Sequence, residues 1–132
     1  MAKKFKFSVK VYYEDTDAGG VVYYANYLKF LERARSEAIY SLGYTNSSLL
    51  ESYGVLLIVK SCNIEYKNPA RLEDILDVIS EVNSFTKTSF IMKQNILKDH
   101  ELISTADIHL VAVNKNGKPT KLPDKLKQKL EN

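Results

Sequence analysis

The sequence predicts an α+β domain in which one long helix packs on a five-stranded antiparallel sheet. Three observations carry this reading. A two-residue hydrophobic period opens the chain, one sustained helical period follows, and four strand-like runs joined by short connections complete it.

Phe5, Phe7, Val9, Val11 and Tyr13 alternate with Lys4, Lys6, Ser8, Lys10 and Tyr12, so Phe5–Tyr13 reads as a strand with one buried face. Asp15 to Gly20 is a turn, rich in residues that tolerate unusual dihedrals. From Asn26 the period changes. Tyr27, Leu31, Ala34, Ala38 and Leu42 fall on one helical face, with Asn26 as N-cap and Gly43 as the stop. Such a helix is about 24 Å long, and alanines at 34 and 38 let a sheet approach its backbone closely. Ser47–Ser52 reads as a helical turn or loop, and strand-like runs follow at 54–67, 74–84, 88–98 and 102–114. The Asn68-Pro69 step separates the first two runs, and Ser84–Lys87 and Lys98–Glu101 read as hairpin connections. Asn116-Gly117 is a turn, and Leu126 and Leu130 place a short amphipathic helix in the tail from Pro123. The start of the 54–64 run is apolar on both faces (Val55, Leu57, Val59 against Leu56, Ile58). That pattern predicts burial on both sides, hence a dimer or higher oligomer.

At 132 residues and 45% hydrophobic content, 1–132 is read as one ordered domain. No apolar run approaches the roughly 20 residues of a membrane span. The N-terminal Met-Ala-Lys-Lys-Phe-Lys-Phe lacks the apolar stretch of a secretory signal. A single cysteine forms no internal disulfide, so the expected compartment is the cytoplasm. The net charge of +3 is unevenly spread: residues 1–10 and 115–132 hold ten lysines against two acids, and the body between them nine bases against fourteen acids. Basic ends on an acidic body argue against nucleic acid as the partner.

Glu14-Asp15-Thr16-Asp17 places three carboxylates between a strand and a helix. On charge alone this is a solvated acidic turn. The Gly19-Gly20 pair, the apolar Val21-Val22-Tyr23-Tyr24 behind it and the helix start beyond give it a chemical use. A helix N-terminus presents unpaired N–H groups and the positive end of the dipole to an oxyanion forming on a carbonyl. A carboxylate beside it serves as nucleophile or as general base for water.

The run Asp15-Thr-Asp17-Ala-Gly-Gly-Val-Val-Tyr-Tyr-Ala-Asn-Tyr27 resembles the signature of the 4-hydroxybenzoyl-CoA thioesterase family of hotdog-fold proteins. Val11-Tyr-Tyr-Glu14, Leu28-Lys-Phe-Leu-Glu-Arg-Ala-Arg35 and Tyr66-Lys-Asn-Pro-Ala-Arg-Leu-Glu-Asp74 bring it nearest the Tol-Pal-associated acyl-CoA thioesterases. The resemblance implies a hotdog fold, a helix wrapped by an antiparallel sheet, forming a homodimer that assembles to a homotetramer, with active sites at the dimer interface. It implies hydrolysis of acyl-CoA to a free acid and coenzyme A, with no metal or organic cofactor. It carries the catalytic carboxylate onto Asp17 and the carbonyl-polarising amide onto the Tyr24 region. One departure is visible: the Tol-Pal-associated branch usually has His where this chain has Tyr24. Tyr can hydrogen-bond there but cannot take a proton near neutrality.

Lys87, Thr88 and Ser89, at the start of a strand after a tight loop, are candidates to hold the pantetheine or a phosphate of CoA, with Arg71 or the lysine-rich tail adding charge. Cys62 reads as a buried structural thiol, His109 as interfacial or solvent-facing and His100 as exposed. One Cys and two isolated His make no metal site. Glu32 and Glu37, among Arg33 and Arg35, read as local ion-pairing residues, although another hotdog lineage uses a helical Glu as its carboxylate. Two readings compete with acyl-CoA hydrolysis. One is an acyl-carrier-protein thioesterase docked through the basic ends. The other is a non-catalytic acyl-CoA-binding or envelope-associated protein, which the Tyr24 departure would suit.

Overall fold

The computed structural model describes residues 3–132; the first two residues of the N-terminal segment discussed above lie outside the described residues. The elements run β1 (Lys4–Lys10), α1 (Asn26–Ser41), α2 (Asn46–Tyr53), β2 (Leu56–Tyr66), β3 (Ile75–Phe85), β4 (Ser89–Lys98), β5 (Glu101–Val113) and α3 (Asp124–Glu131). The five strands form one sheet in the order β1-β3-β4-β5-β2, and every pairing is antiparallel.

The helical row predicted for α1 is the row the fold buries: Tyr27, Leu31, Ala34, Ala38 and Leu42 face the sheet, joined by Phe30. Their floor is the even-numbered phase of the central strands. Leu76, Val78 and Val82 of β3 lie beside Met92 and Ile96 of β4, and Ala106, Ile108 and Leu110 of β5 continue the surface. Gly43 stops the helix with φ of 93°, a left-handed geometry that costs a glycine little. The 47–52 segment extends to a true helix because Thr45 Oγ1 accepts the Ser48 N–H at 3.0 Å, and Ser48 Oγ takes the Thr45 N–H in return. Leu126 and Leu130 seat α3 on the core as their spacing implied.

Two differences from the sequence reading bear on the site. The first strand ends at Lys10 and not at Tyr13, because the Tyr12 N–H turns to Asp15 Oδ2 (2.9 Å) and Tyr13–Asp15 form a 3-10 turn. The second concerns β2. It is an edge strand, and Leu56, Ile58, Val59 and Tyr66 are 37–48% exposed along it. Cys62, read as buried, is exposed on this edge. Alternation and apolarity gave the strand but not its place at the border of the sheet. None of the helices among the described residues is long and apolar enough to cross a membrane.

Candidate active site

The loop between β1 and α1 is a narrow two-limbed excursion. Thr16 pairs with Val22 in an antiparallel bridge, the Asp17 N–H donates to Val21 O (2.9 Å), and the Tyr23 N–H donates to Asp15 O (2.9 Å). The returning limb therefore runs directly from opposite Asp17 into Tyr24 and the helix start. At the tip, Asp17 Oδ1 accepts the Gly19 N–H at 2.8 Å, and Gly20, with φ of 78°, closes the turn. The Asp17 side chain is exposed. Of the apolar run after the glycines only Val22 is buried, while Tyr23 and Tyr24 stay at the surface, so the run enters the interior through one side chain.

The acid that the fold buries is Asp15, at 6% exposure. Its carboxylate caps the 3-10 turn through the Tyr12 N–H, and its carbonyl accepts both the Tyr23 N–H and Asn26 Nδ2 (2.9 Å). Asn26 was expected as the N-cap. It is instead the first helical residue, Ala25 holds the cap position without a side-chain bond, and the Asn26 amide reaches back to lock the acidic loop onto the helix. The Asx-like signal was real, but its target was the preceding loop.

At the helix start the N–H groups of Tyr24 and Ala25 meet no acceptor among the described residues. Unpaired amides at this end of a helix are the donors an oxyanion requires. The Tyr24 ring is 61% exposed and stands edge-on to Tyr66 at 6.1 Å between centroids; the Tyr66 hydroxyl donates to Tyr24 O at 3.3 Å. Burial, with Cys62 and Tyr24 nearby, raises the Tyr66 phenol above its ordinary value, so it is a hydrogen-bond donor across the neutral range. Tyr27, buried beneath, accepts the Ala70 N–H (3.1 Å) and fixes the 68–71 segment against α1. Its phenol is raised mainly by burial.

That segment brings Arg71 to the loop. Arg71 bridges Val21, and Leu72 donates its N–H to Gly20 O at 3.2 Å. Asp74 anchors the arrangement: its Oδ2 accepts the Arg71 N–H (2.8 Å) and its Oδ1 pairs with Lys98 (2.9 Å). Burial alone would push the Asp74 carboxyl up, but the Arg71 N–H and Lys98 together hold it below its ordinary value.

Lys87, Thr88 and Ser89 lie elsewhere. They follow the far end of β3, roughly 30 Å along that strand from the Arg71–Asp74 segment. The Lys87 side chain is exposed and Thr88 half-buried, whereas the Ser89 hydroxyl is buried against Thr86 Oγ1 at 2.6 Å. One chain therefore unites Asp17, Tyr24 and Arg71 but not Lys87–Ser89. Glu37 faces the β1 side of α1 and Glu32 the β2 side; among the described residues neither forms an ion pair within 4 Å, and Glu32 Oε1 accepts the Ser36 hydroxyl at 3.4 Å. His109 sits on the sheet face away from α1, half-exposed, and His100 is exposed in the hairpin. No group among the described residues has the makings of a metal site.

One residue escaped the sequence reading. Gln94 is fully buried between α1 and the sheet, with its Nε2 donating to Leu31 O (3.0 Å) and Ser80 Oγ (2.9 Å) and its Oε1 accepting from Arg35 Nη1 (3.0 Å). The available signal was its position: it occupies the buried phase of β4, between Met92 and Ile96.

Comparisons with known proteins bear on the fold and the family. The acyl-CoA thioesterase YbgC of Haemophilus influenzae is 40% identical over 124 residues, 93% of this chain and 91% of its own. A crystal structure of a probable thioesterase from Bartonella henselae is 32% identical, with a TM-score of 0.87 over 92% of this chain and all of its own. A 4-hydroxybenzoyl-CoA thioesterase mutant solved with 4-hydroxybenzoyl-CoA shares the fold at a TM-score of 0.92 and 18% identity, covering 98% of this chain and 99% of its own. The model of the thioesterase-like superfamily matches residues 11–130. The hotdog architecture expected from the Asp15–Tyr27 signature is thus the one observed, and the chain belongs to the thioesterase-like superfamily.

Proposed function

We propose that the protein hydrolyses acyl-CoA thioesters to the free carboxylic acid and coenzyme A, with Asp17 as the reacting carboxylate. The observation that carries this is the pairing of the exposed Asp17 carboxylate with unpaired helix-start amides at Tyr24 and Ala25. The likeness to YbgC of Haemophilus influenzae supports the substrate class. The thioester carbonyl oxygen would lie on those amides, which bind it more tightly as negative charge develops. Asp17 then attacks the carbonyl to expel the CoA thiolate, and water hydrolyses the resulting anhydride. On the alternative route it draws a proton from water that attacks directly. Both routes consume one water and release an acid and a thiol. Single turnover in oxygen-labelled water tests for the anhydride: label in the Asp17 side chain, which appears when water opens the anhydride at the Asp17 carboxyl carbon, establishes the nucleophile route, and trapping of the acylated protein with hydroxylamine detects the anhydride opened at the acyl carbon.

The site asks for a second chain. β2 is an apolar edge whose Tyr66 end lies at Tyr24 and whose Leu56 end lies at the Lys87–Ser89 end of the sheet, where the Ala112 N–H meets Thr88 O. Two copies joined antiparallel along β2 would set one chain's Lys87 and Thr88 beside the other's Asp17 and Arg71, giving CoA its cationic and hydroxyl contacts. We therefore read a homodimer as the functional unit, with Lys87, Thr88 and Arg71 at the CoA and Ser89 holding the hairpin. We further read a homotetramer as its assembly and the cytoplasm as its compartment. The exposed basic ends suit an acyl-carrier protein or an envelope partner as a secondary contact. Thiol release by purified protein from matched acyl-CoA and acyl-carrier-protein thioesters tests the reading. Turnover of the CoA series supports it, turnover of carrier-linked substrates alone moves the assignment to the carrier, and tight binding without thiol release replaces it with a binding role.

A further inference from the structure

The peptide between Tyr24 and Ala25 has two ends with different fates. Its N–H is one of the amides left free for an oxyanion, and its C=O is only partly used by the helix. Tyr24 O accepts the Tyr27 N–H in a long bond of 3.3 Å. The Leu28 N–H, which a regular α-turn would send to Tyr24 O, goes to Ala25 O instead, at 3.2 Å. The Tyr66 hydroxyl takes the vacant place and donates to Tyr24 O at 3.3 Å.

The fold sets the position of this hydroxyl from the sheet. Tyr66 closes β2 opposite Ser104 of β5. The next two residues are pinned to the same strand, with the Lys67 and Asn68 N–H groups on Ile103 O (2.8 and 3.1 Å) and Asn68 Nδ2 on Leu102 O (2.8 Å). The Tyr66 ring packs on Tyr27 at 5.5 Å between centroids, and Tyr27 is itself buried and held by the Ala70 N–H. Burial raises the Tyr66 phenol above its ordinary value, so the proton it donates is retained through the neutral range. The titratable groups around it are Tyr24, Tyr27 and Cys62, with Lys67 beyond them paired to Glu65 at 2.7 Å.

A donor on a peptide oxygen acts on the N–H across the same bond. The trans peptide is planar, so anchoring its C=O fixes the opposite direction in which its N–H aims. The donor also draws electron density toward the oxygen and leaves the N–H more positive, a strengthening of about 10–30% per bond. We propose that Tyr66 is a positioning residue for the oxyanion: its hydroxyl, bound to Tyr24 O, aims and polarises the Ala25 N–H that receives the thioester oxygen. It acts through the backbone and needs no contact with the substrate. This rests on the thioesterase reading above and adds to it the device that tunes one of its donors. Loss of a whole oxyanion donor costs roughly 10²–10³ in kcat, and 10–30% of that free energy corresponds to about two- to eightfold.

The test measures kcat and KM for an acyl-CoA with wild type, with Tyr66→Phe, and with 3,5-difluorotyrosine incorporated at position 66. Melting and gel filtration at one chain concentration report fold and assembly. Tyr66→Phe should lower kcat by about two- to eightfold with KM little changed, because the oxyanion forms only on the way to the transition state. The fluorinated phenol keeps the ring and is a stronger donor that ionises nearer neutrality. Its kcat should match or exceed wild type at acid pH and fall toward the Tyr66→Phe value as the phenol ionises, whereas the Tyr66→Phe profile lacks that step. Turnover of Tyr66→Phe equal to wild type overturns the proposal. So does a fall in kcat unaccompanied by the new pH step in the fluorinated protein, which assigns Tyr66 to packing alone; both results leave the thioesterase reading standing. A wild-type protein that hydrolyses no acyl-CoA overturns both.

Discussion

Gln94→Leu isolates the polar link between the sheet and α1. The substitution keeps the volume of the side chain nearly constant but removes its three hydrogen bonds, to Leu31 O, Ser80 Oγ and Arg35. Losing the acceptor of a half-buried guanidinium costs about 1.5–3 kcal/mol, and orphaning the buried Ser80 hydroxyl costs about 1 kcal/mol more. An added apolar surface returns about 1 kcal/mol of this. The expected net loss is therefore about 1.5–3 kcal/mol, a large share of the roughly 5–15 kcal/mol that holds a domain together. Urea unfolding followed by far-ultraviolet circular dichroism measures it, at one fixed chain concentration because association would contribute to the apparent stability. A double variant, Gln94→Leu with Ser80→Ala, removes the orphaned hydroxyl and regains about 1 kcal/mol. A single variant as stable as wild type, or a Ser80→Ala cost identical in both backgrounds, would show that the network is not coupled and refute the reasoning.

Asn26→Ala releases the acidic loop from α1; a stability loss of about 1 kcal/mol should accompany a larger fall in kcat/KM, since the bond it breaks orients Asp15 and the Tyr24 limb. Steady-state kinetics beside a melting curve separate the two effects. Ser104→Ala should stabilise the protein by about 0.5–1 kcal/mol, because its hydroxyl is buried among the described residues with no partner. Unfolding in urea reads the sign. Asp74, held below its ordinary carboxyl value, contributes stability that is present above its unfolded value near 3.8 and is lost as pH falls through the folded one. Asp74→Asn should therefore be less stable than wild type at pH 7, with the gap closing below about pH 4, as melting across a pH series will show.

The fold was legible where periodicity alone decides structure. The α1 row and the alternation of β1, β3 and β4 report burial directly, since each residue's face follows from its spacing. What spacing cannot report is an element's place among the others. Cys62 shares the phase of buried residues, yet β2 lies at the sheet border and leaves it exposed. The acidic loop divides in the same way. Asp17 was legible from the motif, whereas the burial of Asp15 and the backward reach of Asn26 depend on hydrogen bonds between segments eleven residues apart. Lys87–Ser89 are local in sequence to a hairpin but distant from Asp17, and only a two-chain geometry would unite them. Gln94 carried a usable sign, a polar residue in the buried phase of a strand, and the fold shows what that sign meant.

Asp17→Asn tests the central claim most directly. Asparagine retains the Oδ1 that accepts the Gly19 N–H, so the turn and the Tyr24 limb should keep their geometry while the reacting charge is removed. The measurement is kcat for thiol release from an acyl-CoA that the wild-type protein hydrolyses, with matched melting temperatures as the control for folding. The account predicts a fall of about 10²–10⁴-fold with substrate binding preserved. Turnover equal to wild type would remove Asp17 from the chemistry.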